Sequence, residues 1–174
     1  KGNKRNYLME MGKPEEEDLI SLPNTAKPGQ WTIDHKERLT QAEKIIESTK
    51  KVSLKIQQMQ KLTQRNLYTL EVYQRVNELV QLTPKILLGL RRFDQASNTE
   101  ERIIEKAKII ELRKGFYKLR DEIEKTYSKT RVIHKPQDYL LDQDHHHHLA
   151  NQLHAFDWQF YPELLMFDKI NNQL

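Results

Sequence analysis

The chain has no cysteine, few glycines and prolines, and no long hydrophobic run. Without cysteine it has no disulfide, no thiolate zinc ligand and no cysteine nucleophile. Because no apolar run reaches about 18 residues, the sequence predicts no membrane span. Five glycines and six prolines among 174 residues, with 31% charged residues, are typical of long, solvent-exposed helices rather than strands.

Apolar residues recur every third or fourth position, which predicts an all-α fold. We expect an antiparallel bundle of three long helices plus a kinked C-terminal helix. Residues 1–31 hold three of the prolines and are predicted to form an extended arm or linker, with Leu19, Ile20, Leu22 and Trp31 as its contacts. Residues 32–174 form the predicted helical bundle domain.

Local signals predict where the helices begin and bend. The first helix should start near Thr32 or Asp34 and end near 62. The second should cover 64–92 with a kink near Leu82, because Pro84 removes a hydrogen bond. Two overlapping capping boxes at residues 97–101 predict a third helix that ends near 127. Gly115 lies inside it, and its missing side chain either lets another backbone approach or has no role.

The predicted core draws on apolar positions from all four helices. These are Ile45, Ile56, Leu70, Val76, Leu112, Phe116, Leu119, Phe156, Phe160 and Leu164.

Charge is unevenly distributed, with a basic excess in 31–133 and an acidic excess in 134–174. Basic residues alternate with Glu, which favours a solvated bundle face on which the acidic segment docks. The alternative is a basic surface for an anionic partner. We expect no nucleic-acid partner.

Four consecutive histidines, His145 to His148, precede a helical apolar pattern that runs to Ile170. They therefore open a predicted helix, which Pro162 kinks or breaks. Asp144 or His145 could share a metal ion with His148, since ligands on one helix must lie three or four residues apart. No third ligand is signalled, so we predict no metal site.

Three other interpretations of this region remain. The histidines form a polar helix start, or they contact a domain outside this sequence. The residues that would contact such a domain or a glycan are Asp142, Asp144, His146, His147, Trp158 and Tyr161. Asp142 with Asp144 could do acid–base work, although aspartates at a helix start commonly stabilise its dipole. There is no phosphate loop, nucleophile elbow or dinucleotide fingerprint, so we predict no cofactor and no catalytic residue.

One family resemblance is carried by residues 127–131, 135–139 and 141–152, with Asp157-Trp158 and Tyr161-Pro162-Glu163. This region resembles the C-terminal helical region of bacterial family 20 glycoside hydrolases, the β-N-acetylhexosaminidases. That family carries an adjacent Asp-Glu pair on its barrel. Here the only such pair is Asp121-Glu122, without the His-Gly-Gly-Asp-Glu context, so no catalytic residue is carried over.

The resemblance implies a non-catalytic accessory domain of an exported bacterial glycosidase, periplasmic or at the cell surface. Its partners would be the catalytic domain of the same parent chain and a glycan. The alternative is a free-standing helical module that binds a protein or an anionic surface. A weaker alternative is a metal-dependent enzyme that uses the histidine cluster.

Overall fold

The computed structural model describes residues 19–130 and 161–174, and helices dominate both ranges. The helices are α1 (Gln30–Asp34), α2 (Lys36–Leu62), α3 (Leu67–Leu79), α4 (Leu82–Gln95), α5 (Thr99–Tyr127) and α6 (Tyr161–Gln173). The predicted all-α bundle is confirmed. The histidine run and Trp158 lie outside the described residues.

The predicted first helix is two helices, α1 from Gln30 and α2 from Lys36, and neither Thr32 nor Asp34 is the N-cap of either. α1 begins at Gln30 after Gly29, whose φ of 81° places it in the left-handed region that glycine tolerates. The cap comes from α4. Asp94 Oδ2 accepts hydrogen bonds from the backbone N–H of Thr32 at 2.9 Å and from its hydroxyl at 2.7 Å. An unpaired amide of the first turn is thus satisfied by a residue far along the chain.

Apolar side chains from the segment before α1 and from α1 itself pack into the bundle. Leu19, Ile20 and Trp31 are buried in the core, and the Trp31 indole N–H donates to the carbonyl of Ser21 at 2.6 Å. Lys169 of α6 donates to the carbonyl of Ile20 at 3.4 Å. The predicted contacts of Leu19, Ile20 and Trp31 with the bundle are therefore confirmed.

The predicted second helix is two helices, because the expected kink near Leu82 is a break between α3 and α4. Pro84 lies in the first turn of α4, where its missing N–H would have no intrahelical partner. α4 contacts α1, α2, α5 and α6, so it is the central helix. Its large apolar buried residues are Leu82, Ile86, Leu87, Leu90 and Phe93.

Asn98 is the N-cap of α5, and its side chain accepts the backbone N–H of Glu101 at 2.9 Å. The Glu101 carboxylate in turn accepts the backbone N–H of Ser97 at 2.8 Å. The box of Asn98 with Glu101 is therefore the one that forms. Ser97 lies one position before the cap.

The core prediction is right for Ile56 and Phe116, which are buried. Five predicted core residues are half-buried instead: Ile45, Leu70, Leu112, Leu119 and Leu164. Val76 is 37% exposed, so its prediction is wrong: it lies on a face of α3 that no described helix covers. Phe156 and Phe160 lie outside the described residues.

The C-terminal helix α6 packs against α5 and α4. Met166, Phe167 and Ile170 are fully buried. Arg113 of α5 pairs with Asp168 at 2.7 Å, and Lys106 donates to the carbonyl of Asn171 at 3.2 Å. Buried apolar side chains and these polar contacts together hold α6 on the bundle.

Candidate docking surface

Most of the predicted site residues cannot be located in the described part of the chain. Asp142, Asp144, His145 to His148 and Trp158 lie in 131–160, outside it. Tyr161 is the first residue of α6, but its side chain is outside the described set. The hypotheses of a metal site and of a glycan contact at these residues stay predictions.

The structure instead shows an apolar groove between α2 and α3, which we call the α2–α3 groove. It has a volume of about 480 Å³. Its lining residues are Val52, Ile56, Met59, Leu70, Tyr73, Val76, Asn77 and Val80. Tyr73 is 60% exposed, Met59 51% and Val80 49%. The groove therefore holds large apolar side chains that the described helices leave uncovered.

Polar contacts hold α2 and α3 at a fixed spacing next to the groove. The Asn77 side-chain amide is buried and donates to the carbonyl of Thr49 at 2.9 Å. One turn along, the Gln74 amide donates to the Ser53 hydroxyl at 3.0 Å. Breaking the buried Asn77 bond would leave polar groups unsatisfied, which opposes sliding of the two helices. These hydrogen bonds therefore hold the two walls of the groove in a defined arrangement.

Basic residues outnumber acidic residues along the α2 wall of the groove. No acidic residue occurs between Glu47 and Glu71, whereas that stretch holds Lys50, Lys51, Lys55, Lys61 and Arg65. Lys55 is three residues after Val52 and four before Met59, so it lies beside them on the same face of the helix. Lys51 is one turn before Lys55. We call Lys51 and Lys55 the lysine rim.

Lys51 forms an ion pair with Glu47 of its own helix at 2.6 Å. This pair lowers the pKa of Glu47, through the hydrogen bond first and the charge second. Within residues 19–130 and 161–174, Lys55 has no ion pair. The lysine rim therefore faces solvent with its charge only partly compensated.

A second, smaller pocket of about 320 Å³ lies between α3, α4 and α5, and we call it the Gly115 pocket. The apolar residues of its lining are Leu79, Leu82, Leu112, Phe116 and Leu119. A Cβ added at Gly115 would meet no atom within 4 Å, so the idea that Gly115 admits a close backbone is wrong. Its missing side chain leaves part of this pocket open.

Charged side chains of both signs surround the Gly115 pocket. Glu78 and Glu122 line it with Lys85 and Lys118. Arg75 pairs with Glu78 at 2.8 Å and with Glu122 at 3.0 Å, which joins α3 to α5. The mixture gives this pocket no preference for one sign of charge.

Two buried carboxylates serve the fold. Asp94 caps α1, as described above. Glu163 of α6 is fully buried, and its carboxylate accepts a hydrogen bond from the Thr83 hydroxyl of α4. Each side chain thus joins two helices that are distant in sequence.

A partly buried ion-pair cluster joins α4 to α5. Glu105 accepts from Arg92 at 2.8 Å and from Lys108 at 2.6 Å. Partial burial opposes ionisation of Glu105, but the hydrogen bonds from Lys108 and Arg92 outweigh it and lower the pKa of Glu105. This cluster stabilises the helix pair.

The sequence pattern predicted Ile56, Leu70 and Val76 of the groove to be core residues, because periodicity marks an apolar face without saying what covers it. The signal that could have found the groove is the acid-free stretch between Glu47 and Glu71. A helix face that carries both apolar residues and lysines is unusual for a core.

In the two described ranges, no group of three or more His, Asp or Glu side chains is placed to hold a metal ion. No helix in those ranges is long and apolar enough to cross a membrane. Comparison of the chain with protein-family models, with curated proteins and with solved structures finds no match.

Proposed function

We propose that this chain is a non-catalytic helical docking domain that packs against a neighbouring protein domain through the α2–α3 groove. The groove is the observation that supports the proposal. Single exposed apolar residues are common on protein surfaces, but here Met59, Tyr73 and Val80 line one concave surface. Contiguous exposed apolar patches mark interaction sites.

The rigidity of the groove favours docking over a side-chain arrangement without function. Asn77 and Gln74 fix the distance between α2 and α3, so the apolar walls are held open before any partner binds. A preformed surface loses less conformational entropy on association than one that must order itself.

The partner that we propose is the catalytic domain of the same parent protein, as the resemblance to family 20 glycoside hydrolases implies. The chain would then buttress that domain or complete one wall of its cleft. The support for this partner is the resemblance, which rests mainly on residues in 131–160. Glycan contact at Trp158 and Tyr161, and an exported parent, belong to the same proposal.

Hydroxyl-radical footprinting of the parent protein against the isolated chain tests the docking proposal. Met59 and Tyr73 carry reactive, exposed side chains, and we expect both to be protected in the parent. Tyr117 of α5, also exposed, provides the internal control and should react equally in both. Equal reactivity of Met59 and Tyr73 in the two samples would refute docking through this groove.

A second experiment tests the non-catalytic part of the proposal. The isolated chain should not hydrolyse an aryl N-acetylglucosaminide, because the Asp-Glu pair of the family has no counterpart in its sequence context here. Turnover by the purified chain, retained through successive purification steps, would refute it.

A further inference from the structure

We infer that the α2–α3 groove takes an amphipathic helix whose apolar stripe is flanked by Asp or Glu. This inference rests on the proposed docking function and specifies the chemistry of the partner. The shape of the groove, its apolar lining and the lysine rim each support it.

The dimensions of the groove fit a short helix. Leu70 and Val80 lie roughly 15 Å apart along α3, at about 1.5 Å per residue. That length corresponds to about three turns of a partner helix. Side chains at every third or fourth position of such a helix would enter the groove, as in other helix-in-groove complexes.

The lysine rim sets the charge of the partner. The solvent-facing α3 residues of the groove, Tyr73, Val76 and Val80, carry no charge. Within the described residues, the charge beside the groove that has no ion pair is that of Lys55, whereas Lys51 already pairs with Glu47 at 2.6 Å. Carboxylates flanking the partner's apolar stripe would meet these ammonium groups, and such complementarity selects partners and speeds association.

The same charges disfavour two other occupants. A second copy of this chain, docked so that a two-fold axis runs across the groove and α2 meets α2, would bring two lysine rims together. A partner helix with basic flanks would meet like charges. An anionic lipid surface would match the charge but not the concave shape of the groove, and it becomes an outcome of the test.

Two synthetic helical peptides serve as probes. Each has about 14 residues with leucine at every third or fourth position. One carries Glu at all flanking positions, and the other carries Lys at the same positions. Binding to the full chain is measured by fluorescence anisotropy at about 50 mM and about 500 mM NaCl, since screening weakens exposed ion pairs.

We expect the Glu peptide to bind about tenfold more tightly than the Lys peptide at low salt, with the difference shrinking at high salt. The substitution Val76→Asp should abolish binding of both peptides, because it puts a charge into the apolar wall. Circular dichroism would confirm that this exposed substitution leaves the fold intact.

Two double variants on α2 test whether the lysine rim causes the preference for the Glu peptide. The double variant Lys51→Gln/Lys55→Gln should lose most of the preference for the Glu peptide. The variant Lys50→Gln/Lys61→Gln removes the same charge from the opposite face of α2 and should retain the preference.

Three results would overturn the inference. The first is equal or tighter binding of the Lys peptide. If Val76→Asp abolishes that binding, the groove still docks a helix and only the acidic chemistry fails. The second is that neither peptide binds. In that case the footprint of Met59 and Tyr73 in the parent protein still tests the docking proposal separately. The third is Val76-dependent binding to phosphatidylserine vesicles without peptide binding, which would assign the groove to lipid.

Discussion

The two glycines inside α4 and α5 give a paired test of the packing, because the same substitution should change stability in opposite directions. Alanine is favoured over glycine within a helix by about 0.5–1 kcal/mol, since glycine loses more backbone entropy on folding. At Gly115 an added Cβ meets no atom within 4 Å. We therefore expect Gly115→Ala to raise the free energy of unfolding by the full helix gain.

Gly89 lies against α5, and there the added Cβ would be 2.5 Å from Ile109 Cγ1 and 3.1 Å from Ile109 Cδ1. Ile109 is fully buried and β-branched, so its side chain has few alternative rotamers. Overpacking of this kind costs about 1–3 kcal/mol. Subtracting the helix gain, we expect Gly89→Ala to destabilise by about 1 kcal/mol.

Urea unfolding followed by circular dichroism measures both variants. A double-mutant cycle with Ile109→Ala gives the control, because that change removes Cγ1 and should relieve most of the Gly89→Ala penalty. If Gly89→Ala stabilises the chain as much as Gly115→Ala, the α4–α5 contact is looser than the structure shows. If Gly115→Ala is as harmful as Gly89→Ala, the Gly115 pocket is not open.

Three further predictions concern single side chains, each measured by urea unfolding. Asn98→Ala should cost about 1 kcal/mol by removing the α5 cap, whereas the control Ser97→Ala should cost less than about 0.5 kcal/mol; equal costs would contradict the assigned cap. Asp94→Ala should cost about 2 kcal/mol, more than Thr32→Val, because it removes both hydrogen bonds of the α1 cap; a cost near zero would show that water replaces it. The pKa of Glu105 lies below its ordinary value of 4.5, so the stability that the ionised carboxylate contributes is present above pH 4.5 and is lost as the pH falls through the lowered pKa. The difference in unfolding free energy between the wild type and Glu105→Gln should therefore shrink from about pH 6 to about pH 3. A difference that stays constant over this range would contradict the assignment.

The local signals in the sequence predicted the helices well where a cause acts within a few residues. Asn98 and Glu101 mark the start of α5 because a cap needs only neighbouring atoms. Pro84 marked the break before α4 for the same reason. The cap of α1 was missed because its acceptor, Asp94, comes from another helix.

Burial was harder to predict than helix position. Periodicity placed Ile56, Leu70 and Val76 on apolar faces, and those faces exist. It could not show that the described helices bury Ile56 but leave Val76 exposed, because that depends on where the neighbouring helices lie. The central place of α4 was missed for the same reason.

By itself the sequence determined that this chain is helical and where α5 begins, because propensity, caps and proline act through near neighbours. Only the tertiary structure decided that a Cβ added at Gly89 would meet Ile109, whereas one added at Gly115 would meet no atom within 4 Å. It also decided that part of the apolar surface of α2 and α3 stays open to solvent. The physical reason is that a contact between helices depends on their relative positions in space, and the spacing of residues along one helix does not contain that information.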